Sequence, residues 1–254
     1  MFTDEEIKKA VTYLKNKFNT IKNQGYIKSN SNGRGNIGLT FEKLIGKDND
    51  NFPFSDIDGI EIKVKHGFSK TVLALFSLVP SGHGIFETKR IRQKFGYPDK
   101  DFENIKVINR SVWSNYKNKL ENEYKMSLEV NYDNKRIYLC FYNKNNKLVD
   151  KNTYWDFLDV KNALFRKMNI LALVKAWPKR VNGIAYYNYY KINFYKLRTF
   201  NTFLKLLEQR KIVLNIQLGV FKSGPKKGQE HDHGITFGIK ECDLLELYDE
   251  FNIE

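Results

Sequence analysis

Residues 169–196, NILALVKAWPKRVNGIAYYNYYKINFYK, alternate apolar, aromatic and polar residues. Successive side chains of a strand point to opposite faces, so this pattern belongs to a sheet with one covered face. Apolar runs at 60–64 and 71–79, the segment 136–142 and KIVLNIQLGVF at 211–221 supply further strands. Helical patterns lie between them. Residues 4–18 read as an amphipathic helix with Thr3 and Glu6 in capping-box spacing. Further helices are expected around 38–46, at 156–168, at 199–210 and at about 242–251. Residues 25–38 and 222–234 are polar, basic, Gly-rich loops, the second with two histidines. There are no repeats and no long linker. This mixed order predicts an α/β or α+β fold, with one mixed sheet and helices outside it.

A chain of 254 residues makes one large domain or two modest ones, and its 19 Phe and 15 Tyr allow a sizeable core. The net charge of +14 favours a polyanionic partner, although general Lys and Asn richness accounts for part of the surplus. Cys140 and Cys242 form no spacing motif, which suits a reducing, cytoplasmic setting better than a disulfide scaffold. The first 18 residues are charged throughout, so no signal peptide is expected, and no apolar run is long enough to span a membrane.

The stretch Asp56–Lys63, DIDGIEIK, sets carboxylates and a lysine among isoleucines. Strand alternation puts Glu61 and Lys63 on one face and Ile60, Ile62 and Val64 on the other, toward a core. A turn containing Gly59 would bring Asp56 back toward the strand. Asp56 and Glu61 could then share a divalent cation. Mg²⁺ prefers oxygen and usually takes only one or two carboxylates. Bound there, it would lower the pKa of a water and offset charge developing on a phosphate. Lys63 would orient that water. The set suits phosphodiester hydrolysis, whereas a solvated strand face is the plainer reading of E-x-K alone. Glu42, on the preceding helix, would add a third carboxylate or simply be an exposed helix residue.

The order of parts says more than any one of them. GRGNIGLTFEKLIG is followed by FSDIDGIEIKVK, then by LALFSLVP, and much later by LGVFKSGPKKGQEHDHGITFGIKECDLLEL. This arrangement resembles the MutH-like branch of the PD-(D/E)XK nucleases, and within it the MvaI and BcnI group of type II restriction endonucleases. The resemblance runs from about residue 20 to residue 250. It is carried by Gly35–Gly38, Thr40–Phe41–Glu42, the D-x4-E-x-K set Asp56/Glu61/Lys63, Ser223–Gly228 and His231–Gly234.

The resemblance implies a restriction-endonuclease-like mixed sheet flanked by helices, with a C-terminal DNA-recognition lobe. Residues 1–130 would be mainly catalytic and 131–254 mainly recognition, with the lobes free to interleave. Asp56 and Glu61 would bind Mg²⁺, Lys63 would position the nucleophilic water, and Glu42 would support the metal site. Asp58 is the alternative first ligand, though the spacing favours Asp56.

The H-D-H-G block has competing readings: a zinc site lacking further ligands of suitable spacing, a general base at His231 or His233, a polar hairpin, or DNA contact. The resemblance implies DNA contact. Lys222, Ser223, Lys226 and Lys227 would follow phosphates, while His231, Asp232 and His233 would reach base edges. Relatives have an arginine where this chain has Gly238; if that arginine reads a base, the resemblance implies a different target sequence here. In the basic segment 87–100, Arg92 and Lys94 would approach the backbone near the scissile phosphate, or else belong to a solvated helix face.

The implied partner is double-stranded DNA. A cognate methyltransferase would act on the same site, with no obligate protein partner and no membrane, and cleavage would be by a monomer nicking one strand at a time. The alternatives are a MutH-like mismatch-repair nickase and an inactive DNA-binding module.

Overall fold

The computed structural model describes residues 3–30, 36–46, 56–57 and 59–251. In chain order its elements are α1 (Asp4–Lys22), β1 (Tyr26–Lys28), α2 (Asn36–Leu44), β2 (Ile60–His66), β3 (Leu73–Ser77), α3 (Ile85–Phe95), β4 (Tyr97–Pro98), β5 (Lys106–Val112), β6 (Asn118–Lys119) and β7 (Lys125–Asn131). There follow β8 (Arg136–Tyr142), β9 (Leu148–Asp156), α4 (Phe157–Met168), β10 (Ile170–Val181), β11 (Ile184–Leu197), α5 (Phe200–Glu208), β12 (Ile212–Val220), β13 (Glu230–Ile239), α6 (Leu244–Leu247) and β14 (Tyr248–Glu250).

The chain divides into two compact units. One comprises Met1–Thr71, Leu164–Arg198 and Leu245–Glu254; the other comprises Val72–Ala163 and Thr199–Leu244. The two units interleave along the chain. The reason is one strand pair: β2 runs parallel to β10, with Ile60 opposite Ile170 and Lys63 opposite Leu173. Parallel neighbours need a crossover connection, and here that connection contains residues 72–163 of the other unit.

The first unit is built on a mixed sheet ordered β1-β11-β10-β2, with β14 on β11. Thr3 caps α1 through the expected capping box. Ile7, Ala10, Val11, Leu14, Phe18 and Ile21 recur at three- and four-residue spacing, and this stripe is buried. It meets Ile37 and Phe41 of α2, and Ile60, Ile62, Ala172, Val174, Ala176, Tyr189 and Phe194 of the sheet, in one core. Truncating Phe41, which has no exposed surface, to alanine costs about 3–5 kcal/mol.

The second unit holds two sheets, β3-β13-β12-β5-β4 and β6-β7-β8-β9. The described residues therefore form three sheets rather than the single mixed sheet expected, and the mixed one belongs to the first unit. Phe76 and Phe203 flank Phe237 in the second unit's core, and Trp155 meets Phe237 edge-on.

Two boundaries also differ from expectation. The loop read at 222–234 is shorter, because β13 already pairs with β12 from Glu230, opposite Val220. The helix read at 242–251 is a 3-10 turn (Glu241–Asp243), one turn of α6 and then a strand. Tyr248 is drawn into the first unit, where its hydroxyl donates to the Met168 carbonyl at 3.2 Å and its backbone pairs with Leu197. Among the described residues no helix is long and apolar enough to cross a membrane.

Candidate active site and recognition hairpin

The turn before β2 is closed by Ile57 and Ile60, which exchange backbone hydrogen bonds of 3.0 and 2.6 Å. Gly59 sits in it at φ +89°, a conformation that costs an L side chain about 1–2 kcal/mol. The turn folds Asp56 back, so that its Oδ2 accepts from the Ile62 amide at 2.6 Å. Along β2 the alternation holds. Ile60 and Ile62 join the core, and the opposite face carries Glu61 and Lys63. Lys63 Nζ donates to Glu61 Oε1 at 2.5 Å.

Glu61 is 1% exposed, far more enclosed than a solvated E-x-K face would leave it. Burial pushes its carboxyl above the ordinary value of 4.5. Lys63 opposes that shift, and the nearby Asp56 charge adds to it. Lys167, at the end of α4, places a second ammonium 3.6 Å from Glu61 Oε1. Among the described residues, Glu61 Oε2 is buried with no hydrogen-bond partner. An orphaned anionic oxygen is costly, and a hard cation is the group that it and the Asp56 carboxylate suit. Among the described residues no three His, Cys, Asp or Glu side chains form a metal cluster, but one or two carboxylates suffice for Mg²⁺. Glu42 is half-buried on α2, which packs on β2. Asp58 and Gly35 lie outside the described residues.

In the second unit, the residues read as DNA contacts fall into three groups. Ser223, Lys226 and Lys227 are exposed in the loop joining β12 to β13. Three other basic residues are engaged by carboxylates. Lys222 Nζ donates to Asp99 at 2.5 Å and to Asp101 at 2.8 Å. Lys94 donates to Asp150 at 2.9 Å, beside the bidentate grip of Arg90 on the same carboxylate. Arg92 is only 2% exposed; Glu230 lies 2.8 Å from its Nη1, and Asp232 contacts its Nη2. These are ion pairs without well-aligned hydrogen bonds. The helix bearing Arg92 is thus not a solvated face, since Glu87, Thr88, Ile91, Arg92 and Phe95 are all buried.

The third group is the histidine pair. His231 stacks flat on Phe221 at 3.8 Å, and the His231 and His233 rings are 4.0 Å apart. Desolvation, then His233 and Lys226, hold His231 below its ordinary pKa. The β12–β13 register shifts between Gln217 and Leu218, which face Gly234 and Asp232, so His233 is the bulged residue. A bulge re-aims a side chain off the regular pleat.

A family model described as the MvaI/BcnI restriction endonuclease family matches residues 15–248. The chain belongs to the MvaI/BcnI restriction endonuclease family. It is a type II restriction endonuclease, a hydrolase that acts on DNA. A solved structure described as "Restriction endonuclease MvaI-cognate DNA substrate complex" is 26% identical, with a TM-score of 0.89 over 99% of both chains. One described as "Restriction endonuclease MvaI in the absence of DNA" is 27% identical, with a TM-score of 0.61 over 95% of this chain and 96% of that one. No curated protein matches.

For this MvaI/BcnI family member, sequence reasoning missed two neighbours of Glu61. Lys167 is reached only through the β2–β10 pairing, a non-local contact that its RKMNI context does not advertise. Tyr248 is fully buried, and burial, then the Glu61 charge, raise its pKa. The departure at Gly238 gains a packing reason. A Cβ there would lie 2.5 Å from Val72 Cγ1 and 3.0 Å from the Leu73 carbonyl oxygen, so β3 leaves no room for a side chain.

Proposed function

We propose that this restriction endonuclease hydrolyses one phosphodiester bond at a time within a specific double-stranded DNA sequence, using Mg²⁺ and acting as a monomer. The observation that carries the chemistry is the buried Glu61 carboxylate, whose Oε2 has no hydrogen-bond partner while Oε1 is held by Lys63. Asp56 and Glu61 hold the cation, and Glu42 supports them. Bound Mg²⁺ supplies a Lewis acid to water and phosphate. Lys63, the more solvent-accessible member of its pair, orients the attacking water and steadies negative charge on the phosphate. Lys167 opposes the shift that burial imposes on Glu61.

The β12–β13 hairpin reads the sequence. Lys226 and Lys227 meet phosphates with Ser223, while His231, His233 and Asp232 face base edges. Arg92 acts from beneath by fixing Asp232 and Glu230, and Lys94 and Lys222 exchange their carboxylate partners for phosphates on binding. The only partner needed for cleavage is double-stranded DNA. A methyltransferase of the same specificity protects the host in the cytoplasm.

The test is digestion of supercoiled plasmid and genomic DNA by the purified chain with Mg²⁺, followed by sequencing of the ends. The expected result is one shared sequence at every end, with open circles accumulating before linear DNA. Linear product formed directly from supercoiled DNA would overturn the monomer reading. Cleavage that needs added proteins would point to a mismatch-repair nickase. Specific binding without cleavage would point to an inactive DNA-binding module.

A further inference from the structure

We propose that the open face of the β1-β11-β10 part of the first unit's sheet is a binding site for single-stranded DNA. The inference stands apart from the cleavage reading. Val174 and Ala176 point into the core, so Lys175, Trp177 and Lys179 point to the other side. Register extends that face across the sheet: Trp177 lies opposite Asn188 and Lys179 opposite Tyr186. Beyond them, Asn188 pairs with Tyr26 and Tyr186 with Lys28. In the parallel pair Lys65 lies opposite Lys175, so this is the face that bears Glu61 and Lys63 farther along β2.

The face carries a built aromatic stack. The β10–β11 register shifts between Lys175, opposite Lys191, and Ala176, opposite Tyr189, leaving Tyr190 as the bulged residue. Tyr190 lies flat on Trp177, with centroids 4.6 Å apart and planes at 5°. Phe68 covers the indole at 4.4 Å and is 83% exposed. Gly67 makes this possible, because a Cβ there would lie 2.2 Å from Trp177 Cζ3. Tyr26, 46% exposed, holds the Lys179 ammonium 5.5 Å above its ring.

The charge on these strands is of one sign. β1, β10 and β11 contain no Asp or Glu, and alternation and register put Lys28, Lys175, Lys179 and Lys191 on this face. Polyanions fit such a surface, and exposed rings select among them. The bases of a duplex are stacked on each other and offer only their edges. An unpaired strand offers π-faces to stack on aromatic rings while its phosphates follow the lysines.

The test is fluorescence anisotropy of labelled (dT)12 with the full chain in EDTA, with unlabelled (dT)12 and a blunt hairpin duplex as competitors. Tryptophan emission provides a parallel signal. The expected result is that (dT)12 binds and quenches tryptophan emission. Phe68→Ala and Tyr190→Ala should weaken binding about ten- to hundredfold, and the duplex should compete poorly. Phe68 is a surface residue, so melting temperature confirms that its variant is folded. Absence of (dT)12 binding, wild-type affinity in folded Phe68→Ala, or equal losses for (dT)12 and duplex would each overturn the proposal, the last in favour of duplex docking. No arm requires cleavage, so an inactive chain that binds (dT)12 through these rings leaves the inference standing.

Discussion

Glu61 is nearly fully buried, its Oε2 lacks a hydrogen bond, and burial raises its pKa. The sign of its contribution to stability follows. Between the ordinary value of 4.5 and the raised native value, the folded state keeps a proton that the unfolded chain has released, so metal-free stability falls as pH rises through that window. Glu61→Gln removes that penalty. It should raise the metal-free melting temperature near neutrality, by roughly 1–2 kcal/mol in stability, while abolishing cleavage. A melting scan against pH checks this, and a Gln variant that melts lower than wild type at pH 7 would contradict it. Lys167 lowers the Glu61 pKa through space. Lys167→Ala should therefore move the acidic limb of the cleavage rate profile to higher pH, which a single-turnover pH series would show. The carboxylate–lysine set was legible in the sequence because strand alternation is a local rule. Lys167 was not, because it arrives through pairing with a strand more than a hundred positions away in the chain.

At the scale of elements, the β12–β13 hairpin combines an exposed basic loop with a buried root. Lys226 and Lys227 stand in solvent. Replacing either by alanine should weaken binding to cognate and scrambled duplexes alike, and should reduce the slope of log affinity against log salt by about 1. A salt series on both duplexes checks it, and loss confined to the cognate would mean that the lysine reads bases. At the root, Gly238→Ala should destabilise the protein by about 1–3 kcal/mol through overpacking against Val72 and the Leu73 carbonyl oxygen, measurable by denaturant unfolding. The sequence showed the loop's charge but not where β13 begins, since His231, Asp232 and His233 read as polar loop residues. Pairing to β12 and the Arg92 ion pairs hold them in a strand instead. Arg92 itself read as a DNA-backbone contact or part of a solvated helix face, because its helix, IFETKRIRQKF, is dominated by charge. Tertiary burial overrides that impression.

At the scale of the whole molecule, the mixture of helices and strands and most element positions were legible, because amphipathic helices and alternating strands declare themselves within a few residues. The division into units was not. It depends on β2 pairing with β10 across an inserted unit, a long-range choice that no local pattern encodes. The same pairing sets the Glu61–Lys63 face within the first unit, whose site is proposed to cut, while the hairpin of the second is proposed to read. The central claim is that Lys63 serves the chemistry and not the docking. The most direct measurement compares Lys63→Ala with wild type in two assays: cleavage of a cognate duplex with Mg²⁺, and affinity for that duplex with Ca²⁺. The predicted result is loss of cleavage with affinity within about threefold of wild type, whereas cleavage at a near wild-type rate, or loss of affinity and cleavage together, would contradict it.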